Sequence, residues 1–298
     1  MRTYQTRLHL TPEQASQLSA YASLYGKVER TLFARLAAGG ELNELKRDFQ
    51  IEFGITARQF NAVHTGLKGK ITSIRERRTG LIKELEARIK KAKAVLKKTA
   101  KPFTRHQKQR RLSILEHKLQ AMKEDRQSGA VRICFGSKRL FRAQFTLEAN
   151  GYTDLAQWKT DWQQSRSSQF AVLGSKDETS GCQGCVATVA EDGSISLRLR
   201  LPNAHGDKYL PISGLSFDYG QKAIIAAIGR NQSSDKHDWQ AVGYRFVRDT
   251  KGWRVFVSIE LPEVARKSHK DIGVIGIDIN AGHLALTETD RFGNPIAF

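Results

Sequence analysis

The chain has 298 residues with 49 Lys or Arg against 30 Asp or Glu, a formal net charge of +19 at pH 7, and this excess favours a polyanionic partner, nucleic acid first. It is long enough for more than one core. It contains no run of ~18 apolar residues and its start, MRTYQTRLHL, has no apolar signal segment, so no membrane span is expected and the cytoplasm is the expected compartment.

Arg2–Leu10 alternates, with Tyr4, Thr6, Leu8 and Leu10 on one side, and reads as a strand. Thr11-Pro12-Glu13-Gln14 then opens a helix: Thr caps, Pro suits the first helical position, and Gln three residues after the cap closes a capping box. This helix is expected to run to Ala38 and stop at Gly39-Gly40. A second helical piece covers Glu41–Phe53 and ends near Gly54.

Thr56 caps the longest helix. Phe60, Val63, Leu67, Ile71, Ile74, Leu81, Leu85, Ile89, Ala92 and Leu96 recur at steps that form a packing seam. Arg78 interrupts the seam, which favours a hairpin folded within a bundle over a continuous coiled coil. Lys101-Pro102 breaks the run. A partner helix from Thr104 to Ser128-Gly129 carries the matching stripe Leu112, Leu115, Leu119 and Met122.

The polar surface of this hairpin holds Lys83, Arg88, Lys90, Lys91, Lys93, Lys97, Lys98, Lys101, Arg105, Lys108, Arg110 and Arg111 against Glu84 and Glu86. Like charges so dense repel along a helix, and a phosphate backbone relieves that repulsion while releasing counterions. The candidate nucleic-acid ligands are therefore Lys90, Lys91, Lys93, Lys97, Lys98, Lys101, Arg105, Lys108, Arg110 and Arg111. A solvated lysine-rich surface is the alternative.

After Gly129 the pattern turns strand-like. Val131–Phe135 reads as a strand, and Ser137–Leu147 sets Lys138, Arg139 and Arg142 beside Phe141 and Phe145, a second candidate nucleic-acid contact. Thr153–Gln164 reads as a short capped helix with Trp158 and Trp162 in the core. Strands follow at Phe170–Leu173, Cys185–Ala190, Ser194–Leu201, Leu215–Tyr219, Ala241–Arg248 and Trp253–Leu261, with turns at Asp192-Gly193 and Asp249–Gly252. Strands at this spacing suggest a barrel. Cys182 and Cys185 form a CxxC with no second pair, so two loop thiols and no zinc are expected.

The stretch Ile272–Phe298 is the most informative. A buried strand, Val274–Ile279, carries Asp278 near its end; a turn at Asn280–Gly282, a strand His283–Thr289, a turn Asp290–Asn294 with Gly293, and a strand from Pro295 follow. An ionised carboxylate after buried aliphatics is costly unless paired or bound to metal. RNase H-like nuclease domains open in this way. Actin-like ATPases also open on such a hairpin, but near their N-terminus. Glu288 and Asp290 read as solvated turn acids, and His283 as a packing or hydrogen-bonding residue.

The segments GIDIN, HLALTETD and RFGNPI resemble the first catalytic block of the TnpB/OrfB family of insertion-sequence proteins, relatives of type V CRISPR effectors. The resemblance is sharpest over Gly276–Ile296 and extends loosely over Gln169–Leu201 and Gly243–Glu260, which are similar to a TnpB-related branch. It implies an α+β fold: a first barrel strand (1–10), a helical recognition lobe (11–128) inserted into a wedge-type β-barrel (129–270), and the opening β-hairpin of a RuvC-like domain (271–298). It also implies an RNA-guided, Mg²⁺-dependent DNA endonuclease, monomeric with its RNA, with guide RNA and target DNA as partners and Asp278 as catalytic metal ligand. The family's catalytic Glu, second Asp and zinc ribbon lie downstream of this block, so a C-terminally shortened chain with an incomplete site is expected. A non-catalytic RNA- or DNA-binding protein, such as a guide-dependent repressor or a decayed remnant, is the alternative.

Overall fold

The computed structural model describes residues 1–261, 270–280 and 282–297. Ala281 of the expected Asn280–Gly282 turn, Phe298, and residues 262–269 at the end of the expected 129–270 body lie outside them. Two units result, Met1–Glu260 and Leu261–Phe298.

In the first unit the cap chemistry sets the helices. Thr11 accepts from Gln14 N while Gln14 Oε1 accepts from Thr11 N at 2.9 Å, which starts α1 (Pro12–Ala37). α2 (Leu42–Phe53) stops at Gly54, which sits at φ 58 where a side chain is disfavoured. Thr56 and Gln59 repeat the capping box at the start of α3 (Ala57–Lys97), and Pro102 opens α4 (Pro102–Gln127). Val28 and Leu32 of α1, Leu45, Phe49 and Phe53 of α2, and Phe60, Val63 and Leu67 of α3 make one core. Each such side chain contributes about 1.5–3 kcal/mol on full burial. Leu85 and Ile89 of α3 meet Leu112 and Leu115 of α4 in a separate, narrower core.

Arg78 lies on α3 between these two cores, and the expected hairpin is present. α3 continues through it as one helix, and Arg78, 7 % exposed, donates its guanidinium to the carbonyls of Asp125 and Ala130. A carbonyl at a helix end lacks an intrahelical partner, and Arg78 satisfies one there at the base of the hairpin.

The strands of this unit are β1 (Arg2–Arg7), β2 (Gln169–Val172), β3 (Cys185–Val189), β4 (Ile195–Arg200), β5 (Tyr209–Leu215), β6 (Val242–Asp249) and β7 (Gly252–Ile259). They form two open antiparallel sheets, ordered β1-β7-β6-β2 and β3-β4-β5. The expected closed barrel is not present among the described residues. β1 runs opposite β7 from Arg2↔Ile259 to Arg7↔Arg254. Arg7 donates both Nη groups to Asp249 at 2.7 and 2.9 Å, and Arg254 adds a third contact at 2.9 Å. The hydrogen bond from Arg7 is the main cause holding the Asp249 carboxyl down to about 2. Phe170 of β2 stacks between Tyr21 of α1 and Phe246 of β6, at 4.2 and 4.8 Å between centroids, and so joins this sheet to the helices.

Two expected strands fail here for one reason: apolar residues mark burial, not strand pairing. Val131–Phe135 joins no sheet; Ile133 and Phe135 pack against the helical core instead. Ser137–Leu147 contains the short helix α5 (Lys138–Ala143), capped by Ser137. The expected strand Leu215–Tyr219 lies earlier, at β5, and Phe217 is buried without a ladder partner. Asp154, not Thr153, caps α6 (Leu155–Ser165), and α7 (Gln221–Arg230) buries Ile224, Ala227 and Ile228.

The second unit is a three-stranded antiparallel sheet of β8 (Val274–Ile279), β9 (Leu284–Thr289) and β10 (Pro295–Ala297), ordered β10-β9-β8. Asp278 lies opposite Ala285, Ile277 opposite Leu286, and Ile279 opposite Leu284. Directly opposed residues share a face, so one face carries Ile275, Ile277, Ile279, Leu284 and Leu286 with Glu288, and the other carries Asp278 with Val274, Gly276, Ala285, Thr287 and Thr289. β8 was expected to be buried; every one of its residues is exposed, because this unit has a single layer.

Candidate nucleic-acid interface

Antiparallel packing of α3 on α4 brings together cations far apart in sequence. A groove of about 380 Å³ is lined by Arg88, Lys91, Ala92 and Val95 of α3 and by Lys108, Arg111 and Leu115 of α4. Four cations thus meet over an apolar floor, with no carboxylate among the lining residues. Lys108 Nζ donates to Thr99 Oγ1 at 3.1 Å, which fixes one side of the groove. A phosphate between such groups replaces mutual repulsion with charge-assisted hydrogen bonds.

The other expected ligands spread around the hairpin. Lys90, Lys97, Lys98, Lys101, Arg105 and Arg110 are exposed and do not line the groove. Lys93 is bridged to Glu116 at 2.7 Å, and Lys123 to Glu86 at 2.8 Å. Exposed bridges contribute at most about 1 kcal/mol each, but they remove Lys93 and Glu86 from the free charge. Glu116 escaped the sequence reading because its nearness to Lys93 depends on the helix pairing.

Lys138 lines a wider groove of about 770 Å³ at the hairpin base, with Lys70, Arg77, Arg132 and Asp125 among its neighbours. Arg139 and Arg142 are exposed on the same short helix but do not line it. Beside them runs an aromatic row. Trp158 is buried and donates Nε1–H to Leu140 O at 2.7 Å; Trp162 stacks on it at 5.9 Å; Phe141 and Phe145 continue outward to 44 % and 73 % exposure. The expected core role of the tryptophans is met by Trp158.

Cys182 and Cys185 are buried free thiols. Burial pushes Cys182 up to about 11 and Cys185 well above the usual thiol range. The loop before them is tight: Gly181 has φ 68, and a Cβ there would run into Gln240 O and Asn231 Nδ2. Among the described residues no group of three or more His, Cys, Asp or Glu is arranged to hold a metal ion. Iodoacetamide at neutral pH is expected to modify the half-buried Cys134 first, since the thiolate is the nucleophile. Cys182 is expected to react only as pH rises toward about 11. The sign for stability is the same: the thiols' contribution is complete below the unfolded value of ~8.5 and is lost as pH rises through the raised folded values. Peptide mapping after alkylation checks both statements, and fast labelling of Cys182 at neutral pH would contradict them.

In the second unit Asp278 Oδ2 accepts from Asn280 Nδ2 at 3.2 Å, and the same amide lies 3.3 Å from His283 Nε2. Glu288 is opposite Ile275, on the other face of the sheet. Asp290 is committed to its turn: it accepts from Phe292 N, Asn294 N and Asn294 Nδ2 at 2.8, 2.9 and 3.0 Å, and the Asn294 side chain leads in lowering its pKa. Neither acid joins Asp278. Two Mg²⁺ ions ~3.5–4 Å apart need several carboxylates on one face, and the described residues do not make up such a site. No protein-family model matches the chain, and no curated protein matches it significantly.

Proposed function

We propose that this chain is the nucleic-acid-binding part of a transposon-associated, RNA-guided DNA endonuclease of the TnpB type. In this reading residues 11–128 are the recognition lobe, residues 129–270 act as a wedge-type body, and the partners are a guide RNA and its target DNA. Asp278 is the first acid of a RuvC-like, Mg²⁺-dependent centre whose other acids lie outside the residues described. The observation that carries the binding half is the groove where Arg88, Lys91, Lys108 and Arg111 meet without a carboxylate. The nuclease half rests on the resemblance of GIDIN, HLALTETD and RFGNPI.

A second reading, a non-catalytic guide-dependent binder, is favoured by one observation: among the described residues no second carboxylate shares Asp278's face of the sheet. The experiment measures structured-RNA affinity against salt for the wild type and for Arg88→Gln/Lys91→Gln/Lys108→Gln/Arg111→Gln, together with DNA cleavage in Mg²⁺. The quadruple variant is expected to have the flatter salt dependence; an unchanged slope would reduce the hairpin to a solvated surface. The 298-residue chain and its Asp278→Ala variant are expected to bind RNA equally and to cleave nothing. Cleavage by the wild type that vanishes in Asp278→Ala would instead show that the chain assembles a full centre.

A further inference from the structure

A second basic cavity lies in the first unit, far along the chain from the hairpin's charges. It measures about 410 Å³ and sits between the first turn of α3 and one face of the β3-β4-β5 sheet. Alternation along β4 buries Leu197 and Leu199 and turns Arg198 and Arg200 to the other face. Tyr209 of β5 is directly opposite Arg200 and joins that face. Arg58 and Gln59 enter from α3.

The cations are held differently. Arg200 is pinned, donating Nη1 to Lys208 O at 3.0 Å and Nη2 to Asn203 Oδ1 at 2.5 Å. Gln59 Nε2 donates to Arg200 O at 3.3 Å and ties α3 to the sheet. Arg58 pairs with Glu178, a buried carboxylate that also accepts from Gln183 N at 2.6 Å and does not line the cavity. Arg198 has no carboxylate partner among the described residues, and its guanidinium lies 4.8 Å from the Tyr209 ring centre. No Asp or Glu lines the cavity. The site therefore combines a guanidinium that rests on a ring instead of a carboxylate, a fixed guanidinium, and Tyr209, 39 % exposed, with Arg200 and Lys208 also 5.6 and 5.5 Å from its ring centre.

We infer that this cavity holds one nucleotide of a single strand, its phosphate on Arg198 and Arg200 and its base against Tyr209. The size suits a ligand of that class, since small-ligand cavities run ~300–1,000 Å³. Only an unpaired nucleotide can offer its base face, because in a duplex that face is stacked on its neighbours. Guanidinium and aromatic planes are the two surfaces on which proteins stack unpaired bases. The inference shares with the proposed function only that the ligand is a nucleic acid; its contacts Arg198, Arg200 and Tyr209 lie on β4 and β5, apart from the groove of Arg88, Lys91, Lys108 and Arg111.

The test uses the full 298-residue chain with three probes: a short single-stranded oligoribonucleotide, the same sequence as a duplex, and free 5′-AMP. Arg198→Gln and Tyr209→Ala are each expected to weaken single-strand binding about tenfold, leave duplex binding unchanged, and Tyr209→Phe is expected to restore the wild-type value. That rescue separates lost stacking from a disturbed fold. Equal loss for single strand and duplex would overturn the inference, because it would make Arg198 a mere surface charge. Unchanged single-strand binding in both variants would also overturn it. Cavity-dependent binding of 5′-AMP without cavity-dependent binding of the strand would assign the site to free nucleotides and overturn the strand. Loss in the hairpin variant alone would sink this inference and spare the hairpin; loss in the cavity variants alone would do the reverse.

Discussion

Phe170→Ala is expected to cost about 3–5 kcal/mol of stability, the range for emptying a fully packed phenylalanine site. The ring is 1 % exposed and is stacked on both sides, by Tyr21 and by Phe246, with Trp253 at 6.1 Å. Each aromatic pair contributes about 0.5–1.5 kcal/mol beyond its buried area, so losing two pairs adds to the cavity cost. No smaller side chain can close the gap, because Tyr21 is carried on α1 and Phe246 on β6, and each is fixed by its own element. Against a typical ~5–15 kcal/mol for a whole domain, the variant should be near its unfolding threshold. Urea unfolding followed by tryptophan fluorescence measures this directly. A loss below ~1 kcal/mol would mean that α1 and the four-stranded sheet are not packed as described. Phe170→Leu should fall between the two.

Raising salt fourfold is expected to weaken RNA binding by the wild type roughly 60-fold more than by the hairpin quadruple variant. Each phosphate neutralised adds about 0.7–0.9 to the slope of log affinity against log salt. Arg88, Lys91, Lys108 and Arg111 share one groove without an acid, so all four are available for phosphate, for a combined slope near 3. Lys93, bridged to Glu116, is a built-in control. Lys93→Gln frees Glu116 as well as removing a cation, so the local charge still falls by one. Yet it removes a charge already neutralised, and should change the slope far less than Lys91→Gln. If the two single variants shift the slope equally, the groove has no special standing among the hairpin's charges.

The helix starts of the first unit were legible because they are written in short-range chemistry. Thr11 with Gln14 and Thr56 with Gln59 form capping boxes whose partners are three residues apart. β8 matches the expected Val274–Ile279, where aliphatic residues flank the acid. Legibility ended where an apolar residue's partner lay far along the chain. Ile133, Phe135 and Phe217 are apolar because they pack, and nothing local distinguishes packing from pairing. α7 did leave a signal, in Ile224, Ala227 and Ile228 at helical spacing, but Gly220 as its cap offers no side chain to mark the start. At the interface the charges were legible and their meeting was not. That Lys108 and Arg111 face Arg88 and Lys91 follows from how α4 docks on α3. Arg198 and Arg200 were visible as the outward residues of an alternating strand, yet Tyr209 joins them only through the β4–β5 register.

The pairing of β1 with β7 sets a timetable for synthesis. Arg2–Arg7 is made first among the strands, and its partner residues Arg254–Ile259 are separated from it by most of the unit. At ~5–20 residues per second on the ribosome, the first strand waits roughly 12–50 s for its neighbour. During that interval α1 to α4 can nucleate, since their contacts are close in sequence, but β1 has only open backbone donors and acceptors to show. Such an edge is a template for wrong partners. Its defence is in its composition: Arg2 and Arg7 at its two ends and Gln5 between them, with no long aliphatic residue in the strand. β7, the last strand of the first unit, thus covers one edge of β1 while the other stays at the margin of the sheet behind its polar composition, and Arg7 then finds Asp249 to lock the pair.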